Sequence, residues 1–162
     1  KSSMEIIKSH EKELLGTAGT LIANKDFFKG STGLLIHADN YTKDSLEQLV
    51  KAHSNRPKDC LITMLTFKCE HPSKCGIVEL NNYGVVTKFH EKVSSPPGNL
   101  ANGAIYIFEN DFLDWLTHYN QFANDFSTEI LPKLINRIAT WQTNKPYIDI
   151  GTPNALKQAQ NI

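Results

Sequence analysis

The chain has 162 residues, and its 17 Lys and Arg residues are balanced by 17 Asp and Glu residues. This length predicts one domain with a substantial core, and the balanced charge gives no overall attraction to nucleic acid or an anionic membrane. No apolar run approaches the roughly 18 residues of a membrane-spanning helix. We therefore expect neither nucleic acid nor a membrane among the partners of this chain.

Hydrophobic periodicity and turn residues predict alternating strands and helices in the first half of the chain. Strands are predicted at residues 4–8, 33–39 and 60–67, and helices at residues 17–28 and 42–53. Thr42 is the expected N-cap of the second helix. This order predicts an α/β fold in which helices flank a mainly parallel sheet.

The second half begins with a predicted β-hairpin, in which residues 76–80 and 85–89 are joined by a turn that ends in Gly84. Further strands are predicted at residues 103–108, 139–142 and 147–150, and helices at residues 111–119, 128–138 and from Pro153 onward. No repeat or linker interrupts this order, so we expect residues 1–162 to form one domain.

The three cysteines, Cys60, Cys69 and Cys75, cannot all pair with one another. Reduced thiols and a cytoplasmic location fit this number best. Cys69, His71 and Cys75 are spaced closely enough to suggest a zinc site, but no fourth ligand follows at a typical spacing. We therefore favour ordinary strand and loop positions for these three residues.

Two aspartates follow short apolar runs that lie far apart in the sequence. Asp39 comes after residues 34–36, and Asp149 comes after residues 147–148. Because the ends of parallel strands open onto one ligand crevice, we expect the two carboxylates to meet there. Mg²⁺ usually takes one or two protein carboxylates and completes its shell with water and phosphate, so the pair predicts a magnesium site. The alternative is that each aspartate caps a helix that follows it.

Six segments in fixed order resemble the sugar-1-phosphate nucleotidylyltransferases. They are Leu15-Gly16-Thr17-Ala18-Gly19, Asp39 after its strand, Gly76-Ile77-Val78-Glu79, Phe89-His90-Glu91-Lys92, Asn102-Gly103-Ala104-Ile105-Tyr106-Ile107-Phe108 and Asp149-Ile150-Gly151-Thr152-Pro153. Each segment alone is weakly specific, but the ordered set covers nearly the whole chain. The first segment most resembles the mannose-1-phosphate guanylyltransferase branch. The resemblance implies a Rossmann-like nucleotidyltransferase fold.

The resemblance also implies a reaction and its residues. A nucleoside triphosphate, GTP first among the candidates, would give its nucleotidyl group to a sugar 1-phosphate, with mannose 1-phosphate first, and Mg²⁺ would be the cofactor. Asp39 and Asp149 would bind the metal and, with Lys92, form the catalytic set. The nucleotide is assigned to Leu15, Gly16, Thr17 and Gly19, and the sugar phosphate to Gly76, Glu91, Lys92, Asn102 and Gly103.

Without the resemblance, several of these residues have ordinary explanations. Lys92 would be a solvated surface lysine, and Glu91 would be its partner in a weak surface ion pair. The glycines of residues 15–19 would form a plain turn at the start of a helix.

One departure from the family pattern is serious. The family opens with a strand and a glycine-rich segment that carries an arginine and cradles the triphosphate, and nothing in this sequence matches it. We expect Lys1 to correspond to a position in the family pattern that follows this first unit. The domain would then lack its first βα unit, and residues 1–162 alone would be inactive. A smaller departure is Val93, where the family often has proline.

Two alternatives to the first assignment stay open. One is another guanylyl, uridylyl or cytidylyl transferase that acts on a different sugar phosphate. The other is a non-catalytic homologue that binds a nucleotide sugar and keeps the fold without the chemistry. The sequence leaves the base, the sugar and the formation of a homo-oligomer undecided.

Overall fold

The structure, a computed structural model, describes residues 5–162. Of the first predicted strand, Met4 lies outside the described residues, and residues 5–8 form no strand. Ile6 and Ile7 are largely exposed. The prediction was wrong at residues 5–8 because an apolar pair defines a strand only where a neighbouring strand covers it, and here neither side chain is buried.

The described residues form four helices and eight strands, with short helical turns between them. The helices are α1 (Gly16–Ala23), α2 (Leu46–Ser54), α3 (Asn110–Tyr119) and α4 (Pro153–Gln160). The strands are β1 (Gly33–Ile36), β2 (Asn40–Thr42), β3 (Ile62–Lys68), β4 (Gly76–Leu80), β5 (Val86–Glu91), β6 (Leu100–Phe108), β7 (Ile138–Gln142) and β8 (Tyr147–Asp149). None of these helices has the length and hydropathy needed to cross a bilayer.

The main sheet is mixed and is centred on β6. Strand β3 pairs antiparallel with one edge of β6, while β1 and β4 pair antiparallel with the other. Strand β7 runs parallel to β3, and β5 completes the predicted hairpin with β4. The α/β class and the hairpin are confirmed, but the sheet is not mainly parallel. The prediction of a parallel sheet was wrong because an apolar run indicates that a strand is buried but does not indicate its direction. In addition, the β4–β5 hairpin reverses the direction of the chain before β6.

Three predicted helices have different bounds in the structure. The first ends at Ala23, followed by a 3₁₀ turn, and the second begins after Ser45, whose hydroxyl accepts the Glu47 N–H (3.3 Å). Ser45, and not Thr42, is therefore the N-cap. The predicted helix at residues 128–138 is instead a π-helical turn and a 3₁₀ turn that contains Pro132. Proline removes a backbone donor, and Asn136 has a positive φ of 67°, so a regular helix cannot continue to β7.

The predicted strand at residues 33–39 is shorter in the structure, and a second strand follows it. Strand β1 ends at Ile36, and a turn in which the Asn40 N–H donates to the His37 carbonyl (3.2 Å) leads into β2. Strand β2 leaves the main sheet and pairs antiparallel with β8, so that Asn40 lies opposite Asp149. This second sheet, the β2–β8 ribbon, carries the aspartates predicted to bind metal.

Alternation along β6 builds two cores. Tyr106 and Phe108 face the larger core, which α1, α3 and the turns at residues 126–134 complete. Ile105 and Ile107 face the opposite side, where they pack with Leu49 of α2. Because successive side chains of a strand point to opposite faces, one strand supports helices on both sides of the sheet.

A histidine of α2 is buried against β3 and lies beside Glu109, the residue that precedes α3. His53 Nδ1 lies 2.8 Å from Thr63 Oγ1, and Nε2 lies 3.5 Å from a carboxylate oxygen of Glu109. Burial lowers the pKa of His53 to about 4; the positive charge of Arg56 adds to this effect, and Glu109 opposes it. The imidazole is therefore neutral in the fold at neutral pH.

This burial predicts a pH-dependent stability. The unfolded chain takes up a proton near the ordinary pKa of 6.5, whereas the folded chain does so only near about 4. The contribution of neutral His53 to the free energy of unfolding is fully present above about pH 6.5. As the pH falls toward about 4, this contribution decreases by up to about 3 kcal/mol. Urea unfolding measured between about pH 7 and about pH 4.5 should show a shallower decline for His53→Asn than for wild type. His118→Asn, at an exposed position of α3, should keep the wild-type slope. Equal slopes for His53→Asn and wild type would contradict this assignment.

Candidate functional site

Asp39 and Asp149 meet at one end of the β2–β8 ribbon. The Ile150 N–H donates to the Asp39 carbonyl (2.8 Å), and the Gly151 N–H donates to Asp149 Oδ1 (2.9 Å). A Cβ placed on Gly151 would lie 3.0 Å from Asp149 Oδ1 and 3.6 Å from Asp39 Oδ2. Both carboxylates therefore border one small space beside a residue with no side chain. They meet on an antiparallel ribbon and not, as predicted, at neighbouring ends of a parallel sheet.

Neither aspartate is a helix cap. Thr152 caps α4, because its hydroxyl accepts the Ala155 N–H (3.2 Å), and Ser45 caps α2 well after Asp39. Both carboxylates are exposed, which leaves room for water and phosphate beside them. Two hard oxygen donors with open positions fit Mg²⁺, which seldom takes an all-protein shell. In residues 5–162, no three or more His, Cys, Asp or Glu side chains are grouped as a metal site, and this includes Cys69, His71 and Cys75.

The Glu91-Lys92 pair ends the β4–β5 hairpin. Gly76 lies opposite Glu91, and a Cβ on Gly76 would come within 2.7 Å of Glu91 Oε2, so glycine makes room for this carboxylate. Lys92 has a positive φ of 49°, and its N–H donates to the Cys75 carbonyl (3.2 Å). Its ammonium lies 3.6 Å from a Glu91 oxygen and is largely exposed. The hairpin therefore presents one cation and one carboxylate to solvent.

Lys92 also acts on Asp125, which precedes the π-helical turn. Desolvation opposes ionisation of Asp125, but hydrogen bonds from Thr128 and the positive charge of Lys92 lower its pKa overall. The Asp125 carboxylate accepts from both the Thr128 N–H (2.7 Å) and the Thr128 hydroxyl (2.9 Å). Asp125 thus supplies an anion whose charge interacts with that of the predicted phosphate-binding lysine.

A bulge in β6 presents Asn102 and Gly103. Met64 pairs with Tyr106 and Thr66 pairs with Asn102, so β6 has two more residues than β3 over this interval. Ala104, inside the bulge, has a positive φ of 49°.

The side chain of Asn102 closes this bulge. Its Oδ1 accepts the Ala104 N–H (2.9 Å), and its Nδ2 donates to the buried Tyr106 hydroxyl (2.7 Å). Burial raises the pKa of Tyr106, so this hydroxyl stays protonated. Gly103 is buried, and a Cβ there would lie 2.6 Å from Leu65 Cδ2.

Residues 15–19 form the start of α1 and are fixed to the segment before the π-helical turn. The Ala18 N–H donates to the Asn124 carbonyl (2.9 Å), and the Phe126 N–H donates to the Thr17 hydroxyl (2.9 Å). Gly16 has a φ of 73°, and a Cβ there would lie 2.4 Å from the Asn124 carbonyl oxygen. Leu15 is half-buried, and Gly19 packs close to it. In the described part of the chain, no hydrogen bond joins this segment to the β2–β8 ribbon.

The predicted residues thus form two groups. The ribbon aspartates join the Asn102-Gly103 bulge, because the Asn40 amide donates to the Gly103 carbonyl (3.1 Å) and so does the Tyr147 hydroxyl. The nucleotide segment is hydrogen-bonded to the segment around Asp125, whose charge interacts with that of Lys92. The sequence prediction missed Asn40, Tyr106, Tyr147 and Asp125. The first three lie within or beside the quoted family segments, whereas no local pattern distinguishes Asp125 from other turn residues.

Comparisons with known proteins identify the family of this chain. A family profile described as "Nucleotidyl transferase" matches residues 1–162. The mannose-1-phosphate guanylyltransferase catalytic subunit beta of Drosophila melanogaster is 31% identical over 157 residues, which are 94% of this chain and 41% of that protein. The glucose-1-phosphate adenylyltransferase of Bacillus subtilis (strain 168) is 26% identical over 161 residues, 93% of this chain and 42% of that protein. The chain therefore spans about two fifths of the length of these relatives.

Solved structures share the fold. A Bacillus anthracis protein described as a glucose-1-phosphate thymidylyltransferase, crystallised with sucrose, matches with a TM-score of 0.78 at 18% identity, over 93% of this chain and 62% of that one. HddC from Yersinia pseudotuberculosis, complexed with GMP-PN, matches with a TM-score of 0.74 at 20% identity, over 93% and 64%. These similarities confirm the predicted Rossmann-like fold. Because the family profile matches residues 1–162, the chain belongs to the nucleotidyl transferase family.

Proposed function

We propose that this protein transfers a nucleotidyl group from GTP to mannose 1-phosphate, giving GDP-mannose and pyrophosphate. The observation that carries the proposal is the convergence of Asp39 and Asp149 beside Gly151, on a ribbon hydrogen-bonded to the Asn102-Gly103 bulge. The aspartate pair is therefore next to two of the residues assigned to the sugar, Asn102 and Gly103, although more than half of the sequence separates Asp39 from Asp149.

The reaction joins two anions. An oxygen of the sugar phosphate attacks the α-phosphorus of the triphosphate, and the bond to the β-phosphate breaks to release pyrophosphate. The attacking phosphate is already ionised, so catalysis consists mainly of positioning and charge neutralisation. Asp39 and Asp149 would hold Mg²⁺, which supplies positive charge between the phosphate groups when it is bound.

The remaining residues bind and orient the substrates. The Lys92 ammonium would neutralise the sugar phosphate, and the Glu91 carboxylate would accept hydrogen bonds from sugar hydroxyls. The Asn102 amide and the close approach allowed by Gly76 and Gly103 would complete the sugar site. The turn at residues 15–19 would present backbone to the base and ribose.

The choice of GTP and mannose 1-phosphate is supported by two guanylyltransferase relatives, at 31% and 35% identity, over an adenylyltransferase at 26%. The test uses the complete gene product with each of the four common nucleoside triphosphates and with mannose or glucose 1-phosphate. Pyrophosphate release should be fastest with GTP and mannose 1-phosphate, and EDTA should abolish it. A faster reaction with another pair would overturn the substrate assignment. Binding of nucleotide sugar without any turnover would support the non-catalytic alternative instead.

Lys92→Ala should weaken use of the sugar phosphate more than it slows the chemical step. The ground-state phosphate already carries the charge that Lys92 meets, so its loss should raise KM for the sugar phosphate about 30-fold, from about 2 kcal/mol of lost interaction. Steady-state kinetics measure this split between KM and kcat. Lys88→Ala is a matched control, because Lys88 lies on β5, the strand that ends just before Lys92, and is exposed. A fall in kcat with unchanged KM would contradict this role.

A further inference from the structure

The β2–β8 ribbon needs support from outside itself. It consists of three residue pairs, Asn40 with Asp149, Tyr41 with Ile148 and Thr42 with Tyr147. A two-stranded sheet of this size is marginally stable alone. The two aspartates therefore keep a fixed place relative to the main sheet only if other contacts hold the ribbon against it.

Two ribbon side chains donate hydrogen bonds to the same atom of the main sheet, the Gly103 carbonyl oxygen. The Asn40 amide donates to the Gly103 carbonyl (3.1 Å), and the Tyr147 hydroxyl donates to the same oxygen. The Tyr147 ring also stacks on Phe67 of β3, with 4.2 Å between ring centroids.

The Gly103 carbonyl is available because it lies in the β6 bulge. Where the register shifts, the ordinary ladder of sheet hydrogen bonds is interrupted, and a carbonyl with two lone pairs is left to accept other donors. The residue before it, Asn102, is assigned to the sugar, and the residue opposite Asn40 on the ribbon is Asp149. One backbone oxygen thus joins the aspartate pair to the proposed sugar site.

We propose that Tyr147 is a positioning residue whose hydroxyl, together with the Asn40 amide, couples the Asp39–Asp149 pair to the sugar-binding bulge. The proposal rests on the proposed function, because it assumes that these two places bind metal and sugar phosphate. Loss of the hydroxyl loosens the ribbon while the Asn40 bond remains. The two carboxylates then spend less time in the arrangement that holds a divalent ion, and the two phosphates are aligned less often.

Tyr147→Phe tests this directly, because it keeps the ring stacked on Phe67 and removes only the donor. In the complete gene product, calorimetry with Mn²⁺ and no substrate should show a dissociation constant raised about fivefold. Hydrogen exchange of the Ile150 N–H, which donates to the Asp39 carbonyl, should become faster. In kinetic assays kcat should fall about tenfold while KM for the nucleotide changes little.

Three further variants define the effect. Tyr41→Phe is the matched control, because Tyr41 lies on the same ribbon and its hydroxyl makes no hydrogen bond within residues 5–162. It should leave Mn²⁺ binding and Ile150 exchange unchanged. Asn40→Ala should resemble Tyr147→Phe, and the double variant should lose more than the sum of the two, because the last bond to Gly103 is then removed.

The outcomes separate this proposal from the transferase activity. Unchanged Mn²⁺ binding and unchanged Ile150 exchange in Tyr147→Phe would overturn the positioning role even if the wild type turns over substrate. Weaker Mn²⁺ binding and faster exchange in Tyr147→Phe, with no turnover by the wild type, would support the coupling and overturn the proposed reaction.

Discussion

Asp149→Asn should slow kcat about a thousandfold in the complete gene product, equivalent to about 4 kcal/mol of transition-state stabilisation. Asparagine keeps the oxygen that accepts the Gly151 N–H (2.9 Å), so the turn into α4 should survive. It removes the negative charge that, with Asp39, would hold a divalent cation. Steady-state kinetics at saturating Mg²⁺ measure the loss, and circular dichroism checks the fold.

Asp114→Asn is the control for this substitution, because Asp114 is exposed on α3 and far along the chain from the ribbon. It should retain wild-type kcat. If folded Asp149→Asn also keeps near-normal kcat, the role of Asp149 is limited to the turn around Gly151, and the metal assignment fails.

Gly16→Ala should lower the free energy of unfolding by about 3 kcal/mol, because two costs add at this position. The φ of 73° strains any residue with a Cβ, and that Cβ would lie 2.4 Å from the Asn124 carbonyl oxygen. Backbone at that distance cannot rotate away, so the loop before the π-helical turn must shift. Urea denaturation measures the stability, and KM for the nucleoside triphosphate should rise in the same variant.

Gly30→Ala separates the two costs. Gly30 has a similar φ of 77°, but a Cβ there meets nothing within 4 Å. It should therefore lose only the conformational part, about 1 kcal/mol. If Gly16→Ala and Gly30→Ala are equally destabilised, the contact with the Asn124 carbonyl is not tight in solution.

Local chemistry made some parts of the fold predictable. The β4–β5 hairpin follows from a turn that ends in Gly84, whose φ of 72° favours glycine, between two apolar alternations. The start of α4 at Pro153 follows from the preference of proline for the first helical turn. In both places the signal and the structure it specifies are adjacent in the sequence.

Long-range pairing was less predictable. The apolar run before Asp39 indicated burial, but it could not show that β2 would leave the main sheet to pair antiparallel with β8. Asp39 and Asp149 were expected to meet, and they do so on a different scaffold. The bonds of Asn40 and Tyr147 to Gly103 depend on a bulge, and no periodicity in the sequence marks where β6 and β3 lose register.

The bulge in β6 has a consequence for how this chain can vary in length. It adds two residues, which is an even number. The alternation of side chains between the two faces of the sheet is therefore the same before and after the bulge. Asn102 and Tyr106 remain on one side of the sheet, and Ala101 and Ile107 on the other. A single inserted or deleted residue would reverse this alternation. Over half of β6, each side chain would then point to the opposite face of the sheet and into the wrong core. Length changes at the β6 bulge should therefore be tolerated only in pairs.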